Sequence, residues 1–328
     1  MRRFTLFLAV LVTLLASATV IAAEHFQLRL GAVQGGTALW EIEAMRALGL
    51  DRAHDVDVVV RPLADVRAGH AALGANEVDV ILSDFVYVSM QRHAGNLLSF
   101  VPHSLAVGGL MVDPAAGIAT IADLRGKSLA VAGGPTDKNW MILEAYYAGA
   151  TGRRLAADVD LRFGAAPLVH ELATEGGVQA SLNSWHWSAR ARRDGLVELA
   201  SVPEMLAALG AQATPPLLGW TFRETMTVER SRALIAFLDA SFDTKAALLA
   251  DDGVWDTIRP AMDVGDDDAL FAELRDAYRA GIVRDYDPAA TIRTATRTLE
   301  LLAEHGAPDI IGDIPDLAPA TFWRGYRR

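Results

Sequence analysis

Short apolar runs alternate with segments of helical periodicity along this chain, and the alternation occurs twice, once between 27 and 93 and again between 128 and 194. A chain with that rhythm buries each run beneath helices, which selects a parallel α/β architecture over a helix bundle or a β-sandwich. In the first set, 27–33 reads as a strand that breaks at Gln34-Gly35-Gly36-Thr37. Leu39, Trp40, Ile42, Met45 and Leu48 then share one helix face, and Gly49 is a natural stop. Residues 56–60 form a buried strand, and Asp65 caps a helix through Leu73. After the strand 78–82, Ser83-Asp84 opens a helix to His93 that Gly95 ends. This βαβαβα order predicts a parallel sheet with covering helices.

The stretch 97–112 is apolar, contains Pro102 and Gly108-Gly109, and is expected to leave the first lobe. A second set follows: a short turn at 121–124, strands at 128–132, 159–163 and 178–182, and helices at 137–147, 167–174 and 185–194. Pro215-Pro216 then introduces an apolar strand at 217–222, and 228–305 reads as helices. The chain therefore crosses twice, near 105–112 and near 216–222. The expected division is lobe 1 from 24–105 plus 223–328 and lobe 2 from 106–222, with the last helices packed back on lobe 1. Crossing segments of this kind act as a hinge, and ligands sit in the cleft between lobes.

The first 23 residues stand apart. Arg2-Arg3 precedes an apolar run, 4–15, and then the small residues Ala16-Ser17-Ala18 and Ala22-Ala23. This order predicts a secretory signal peptide over 1–23, cut after Ala22 or Ala23. The apolar run is about 12 residues, and a membrane span wants about 20. There are no cysteines, which excludes both a lipid-anchored cysteine at the cut and a disulfide framework. A mature chain of roughly 300 residues must then hold itself together by its core, and that size usually divides into two domains. With 52% apolar residues the composition is globular. The net charge of −11 becomes two units more negative once Arg2 and Arg3 are removed. That balance argues against nucleic acid, which is bound through basic surface.

Several stretches give the chain a family likeness. They are Gly31-Ala32-Val33-Gln34, Glu77-Val78-Asp79-Val80 before Ser83-Asp84, and above all 121–131, whose DLRGKSLAV precedes a Gly-rich turn. Gly177-Val178-Gln179-Ala180 corresponds to a G-x-x-D-A step, with Gln179 where an acid is common. The chain resembles the periplasmic substrate-binding proteins of nitrate, sulfonate, taurine and pyrimidine-type (NMT1/THI5-like) ABC transporters, over about 27–250. The resemblance implies a type II periplasmic-binding fold of two α/β lobes joined by two crossing strands. It implies a small-molecule ligand, no cofactor, an inner-membrane ABC permease with a cytoplasmic ATPase as partner, and a monomer. It does not fix the ligand. Two alternatives stay open: an enzyme of pyrimidine-type metabolism on the same fold, and a periplasmic sensory module.

Ligands of open α/β sheets lie beyond the carboxyl ends of the strands, near helix starts. That rule selects Gln34 and Thr37 with Trp40 a turn later, Ser83 and Asp84, Gly133, Gly134, Thr136 and Asp137 with Trp140, and Asn183, Trp185 and His186. Thr37, Ser83, Thr136 and Ser184 could equally be ordinary helix caps. Free amides at helix starts suit an anion. The tryptophans, with Glu41, Asp84, Asp137 and Glu224 nearby, suit a cation or a heterocycle. Lys138 and Arg190 could serve an anion. No metal site is expected, because no H-E-x-x-H occurs, and AGGPTDK lacks the spacing of a phosphate loop. Without a cysteine or a G-x-S-x-G, no catalytic nucleophile is expected.

Overall fold

The computed structural model describes residues 26–306 and 316–327 of the 328; the expected signal peptide, 1–23, lies outside them. The chain begins β1 (Phe26–Val33), α1 (Ala38–Leu48), α2 (Leu50–Ala53), β2 (Val56–Leu63), α3 (Val66–Gly74), β3 (Val80–Asp84), α4 (Phe85–His93) and β4 (Leu98–Ser104). It crosses over into β5 (Gly109–Val112), β6 (Ser128–Ala132), α5 (Lys138–Thr151), α6 (Leu155–Asp158), β7 (Asp160–Gly164), α7 (Ala166–Thr174), β8 (Ala180–Asn183), α8 (Trp185–Arg193), β9 (Val197–Ser201) and α9 (Val202–Ala208). It returns as β10 (Leu218–Arg223) and finishes in α10 (Val228–Ala250), α11 (Asp252–Met262), α12 (Asp268–Ala280) and α13 (Pro288–His305).

Two five-stranded sheets result, ordered β2-β1-β3-β10-β4 and β7-β6-β8-β5-β9. The two orders are the same pattern. In each, a first strand is flanked in parallel by the second and third, and the fourth sits beyond an antiparallel strand. The antiparallel member is in each case the strand that follows a crossing, β5 or β10. The sheets are therefore mixed rather than parallel. A strand entering from the other lobe arrives at the end of the sheet where the parallel strands finish, so it runs back against them. β10 belongs to the first sheet, and the second crossing lies before 218 rather than over 216–222. The apolar run 217–222 declares a buried strand but not which sheet buries it.

Local signals explain most boundaries. Gly49 ends α1 at φ 68°, in the left-handed region that glycine tolerates. Asp65, Asp84 and Asp137 each accept a first-turn amide of α3, α4 and α5. The 121–131 stretch is a folding device. The Asp123 carboxylate accepts the Thr120 amide at 2.8 Å and the Thr120 hydroxyl at 2.9 Å, and Lys127 Nζ donates to the Ala116 carbonyl at 2.7 Å. Together they fix the turn into β6.

Leu28, Leu30, Val80, Phe100, Phe222 and Phe237 are buried around the first sheet, and Leu110, Leu129, Leu143 and Leu182 around the second. The last helices do not all return to the first lobe. α10 and α11 pack on α1, but α12 lies against α8 and α13 against α5. Trp40 and Ala44 of α1, Trp185 and Ala189 of α8, and Trp255, Ile258 and Tyr278 of α11 and α12 form one buried cluster. This seam joins both lobes. Beside it, Arg190 donates to the carbonyls of Met262 and Asp263, and Arg192 and Arg193 pair with Glu273 and Asp267. No helix among the described residues is long and apolar enough to cross a membrane.

Candidate functional site

A cavity of about 190 Å³ lies between the sheets. Its walls are the segments that follow β1, β2, β6 and β7, the start of α8 after β8, the first crossing at 106–108, and Leu218 at the start of β10. These are the carboxyl ends of parallel strands from both lobes, where helix starts supply unpaired amides. Gly108 brings the crossing flush against this wall, since a Cβ there would stand 1.5 Å from the Asn183 carbonyl oxygen. Gly133 holds φ +97°, a conformation L side chains rarely adopt, and so lets the loop after β6 turn into the cavity beside Asp137.

Six of the thirteen candidate residues line the cavity: Gln34, Thr37, Gly133, Asp137, Trp185 and His186. The other seven do not. Trp40 is buried in the interlobe seam, edge-on to Trp185 at 5.8 Å and 88°. Trp140 faces the second lobe's core, edge-on to Phe163 at 5.6 Å. Ser83 is still within β3, and its Oγ meets His70 Nε2 at 2.7 Å. Asp84, not Ser83, caps α4, and Asp137, not Thr136, caps α5. Thr136 is exposed and Gly134 buried. Asn183 spends its side chain on the wall itself: Nδ2 donates to the Ala166 carbonyl at 2.8 Å, and Oδ1 accepts the Ser184 amide at 2.9 Å. It clamps the starts of α7 and α8 together.

Of the four acids read as neighbours of the cleft, Glu41 lies behind it and Glu224 far from it. β10 is antiparallel, so Leu218 meets the cavity and Glu224 emerges at the opposite end, paired with Arg92. Glu41 is fully buried with Ser241, Lys245 and Tyr278. Residues outside the original selection also line the cavity: Asp65, Lys138, Asn139, Trp187 and the segment 165–167. Lys138 is the residue whose sequence position suits an anion, and Asp65 is the cap of α3. The loops after β2 and β7 obey the same strand-end rule, and applying it to every parallel strand finds both.

The electrostatics favour neutral histidines. Burial, then Arg190, pushes His186 down to about 3. Burial, then Lys138, pushes His70 down to about 4, where it stacks on Tyr87 with centroids 3.5 Å apart. Burial pushes the Asp84 carboxyl up to about 6 against the pull of Lys138. Lys138 Nζ stands 3.9 Å from Asp137 Oδ2. Arg190, stacked over Trp187 at 5.5 Å, is committed to the α11 carbonyls. Among the described residues no group of three or more acids and histidines could hold a metal ion.

Two α/β lobes of matching strand order with a cavity between their strand ends define a class of protein, and solved structures share it. No family profile and no curated relative matches the sequence. The chain is similar to the alkanesulfonate-binding protein SsuA from Xanthomonas axonopodis pv. citri bound to MOPS, at 17% identity over 92% of this chain and 99% of that one, with a TM-score of 0.72. It is similar to the periplasmic aliphatic sulphonate binding protein SsuA from Escherichia coli, at 13% identity over 90% and 95%, with a TM-score of 0.66. It is similar to the periplasmic nitrate-binding protein NrtA from Synechocystis PCC 6803, at 11% over 80% and 71%, with a TM-score of 0.62. The chain has the two-lobed α/β fold of the periplasmic binding proteins. Its likeness to the sulfonate and nitrate group, read from 121–131 and its companions, is borne out at the level of that fold.

Proposed function

We propose that this chain is the solute-binding component of an ABC importer, which takes a small organic solute into the interlobe cavity and delivers it to a membrane permease driven by an ATPase. The observation that carries this is a cavity walled by strand ends from both lobes, in which His186 and Asn139 hold polar atoms without partners among the described residues. A site built from two lobes captures a ligand by contact with both. The printed functions of the sulfonate- and nitrate-binding neighbours support the reading. With it go a periplasmic location after removal of 1–23, a monomeric state, and the lobe division above, amended so that β10 joins lobe 1 and α12 and α13 pack on lobe 2.

Binding rather than turnover fits the wall. The hydroxyls lining the cavity are those of Thr37 and Ser184. Ser184 Oγ stands 3.4 Å from His186 Nδ1, longer than a nucleophile–base hydrogen bond. The test is native purification of the mature protein with mass spectrometry of any retained solute, followed by calorimetry against nitrate, alkanesulfonates, amines and pyrimidines. One solute should bind at micromolar affinity or tighter and be recovered unchanged. Its consumption would favour the enzyme reading, and no binding to any solute or medium extract would sink the proposal.

A further inference from the structure

We infer that Arg190, which does not itself line the cavity, is a positioning residue for solute binding: it fixes the Trp187 indole on the cavity wall and ties it to the end of α11 on the opposite lobe. This rests on the binding reading above and is independent of the solute's charge. α8 belongs to the second lobe and carries two kinds of side chain in its 9 residues, WHWSARARR. Its first turn meets the cavity through Trp185, His186 and Trp187. Its last turn meets α11 and the start of α12 through Arg190 and Arg193. Trp187 and Arg190 stand three positions apart and so share one helix face. The guanidinium lies 5.5 Å from the Trp187 ring centroid, within cation–π reach, so this pair joins the two ends of the helix.

Trp185 and Trp187 are held differently. Trp185 is 8% exposed and set edge-on against Trp40. Trp187 is half-buried, and its aromatic neighbours His170 and His186 lie at 5.1 and 5.7 Å, tilted by 44° and 45°. Tilted rings at that distance leave the indole face to Arg190.

Arg190 is itself anchored. Nη2 donates to the Met262 carbonyl at 2.7 Å and Nη1 to the Asp263 carbonyl at 3.3 Å. These oxygens close the carboxyl end of α11, where a cation complements the helix dipole. The turn benefits from an outside donor, because Asp263 ends α11 at φ 52°, a left-handed conformation uncommon outside glycine. α11 packs on α1 of the first lobe, and Met262 belongs to the interlobe seam. The guanidinium therefore spans the lobes, with a cavity indole on one side and first-lobe backbone on the other. A solute that meets Trp187 finds the ring already placed, which leaves less ordering to be done on binding. The linkage is reciprocal: the bond that fastens α11 strengthens binding, and bound solute steadies the turn after α11.

The test uses Arg190→Met, which keeps the stem beside the ring and removes the donors. Its companions are Arg190→Lys and Arg193→Ala. Arg193 ties the same region, to Asp267 at 2.9 Å, but lies over no ring among the described residues. Without solute, acrylamide quenching of Trp187, taken as the difference from the same protein carrying Trp187→Phe, should rise in Arg190→Met and not in Arg193→Ala. Nitrate, ethanesulfonate, propylamine and cytosine then serve as probes in calorimetry and stopped-flow fluorescence. For the tightest probe, Arg190→Met should weaken affinity about tenfold, mainly through faster dissociation. Arg190→Lys, which restores a cation and a donor, should recover most of the loss, and Arg193→Ala should stay within about threefold of wild type. The bound probe should slow amide hydrogen exchange over 262–267 in the wild type more than in Arg190→Met. Should Arg190→Met fail to fold, Arg190→Gln, with one donor left, takes its place and should show a smaller shift in the same direction. Unchanged quenching, a probe bound normally by Arg190→Met, or equal losses in Arg190→Met and Arg193→Ala overturns the inference and leaves the binding reading intact. If the wild type retains no solute and binds no probe, the binding reading has failed and the inference falls with it.

Discussion

Replacing Lys245 by methionine removes one half of the most deeply buried charge pair in the first lobe. Lys245 Nζ lies 3.5 Å from Glu41 Oε2, and both side chains are almost wholly sequestered. Ser241 donates to the other carboxylate oxygen, Tyr278 Oη donates to Oε2 at 2.9 Å, and Trp220 Nε1 donates to Ser241 at 3.1 Å. His103 Nδ1 stands 3.5 Å off, and burial holds that ring neutral. In Lys245→Met the carboxylate keeps two hydroxyl donors but loses the one cation beside it among the described residues. Removing one partner of a buried pair typically costs about 3–5 kcal/mol, against a total stability of about 5–15 kcal/mol. Glu41→Gln alone strands the ammonium and should cost a similar amount. The double variant leaves an amide among the same hydroxyls and no charge, so it should recover most of the loss. Urea unfolding of the mature protein, followed by tryptophan fluorescence and circular dichroism together, gives the four stabilities of the cycle. A loss below about 1 kcal/mol for Lys245→Met, or a double variant as unstable as the two losses added, would refute the reasoning.

Stability should fall on mild acidification. The unfolded chain protonates its histidines near 6.5, whereas His186 holds out to about 3, His70 to about 4, and His103 well below its ordinary value. The unfolded state therefore binds more protons below 6.5. Asp84 acts in the opposite sense, since its folded value of about 6 exceeds the unfolded one. These three histidines, joined by His170, whose value burial also lowers, outweigh Asp84 and Glu144, whose values burial raises, so stability falls as pH drops from about 6 toward 4, and a urea midpoint as high at pH 5 as at pH 7 would contradict this. Gly108→Ala should lower both the thermal midpoint and solute affinity by pushing the crossing off Asn183, an effect absent from Gly74→Ala, an exposed position where no atom lies within 4 Å of the added carbon. Asn183→Asp keeps the acceptor for Ser184 but sets a second oxygen against the Ala166 carbonyl. It should weaken solute binding about tenfold or more; wild-type affinity measured by calorimetry would mean that the spacing of α7 and α8 does not matter.

The fold was legible because its signals are local. Gly49 stops α1, Asp65 caps α3, Pro215-Pro216 precedes β10, and each acts within a few residues of the boundary it marks. The half-exposed edge strand β9 is not legible in the sequence, because Val197–Ser201 mixes exposed and buried positions and lacks a continuous apolar run. The capping box of Ser201 with Glu204, which starts α9, was nevertheless there to be read. Topology was less legible. An apolar run does not say which sheet receives it, and so β10 fell on the wrong side of the boundary.

The site was half legible for a geometric reason. The strand-end rule locates loops, and loop residues such as Gln34, Gly133 and Asp137 met the cavity. Extending the site by one helical turn to Trp40 and Trp140 assumed that closeness in sequence to a loop means closeness to its cavity. A helix start points one face at the cleft and another at the core, and large apolar rings take the core face, as both do. Within the single turn after Ser184 the chain supplies both outcomes. Trp185 closes the interlobe seam while touching the cavity, and Trp187, two residues on, lines the cavity from a half-buried position under Arg190. Which indole meets a ligand is thus decided by what packs behind it, here α11 and α12, more than sixty residues further along the chain.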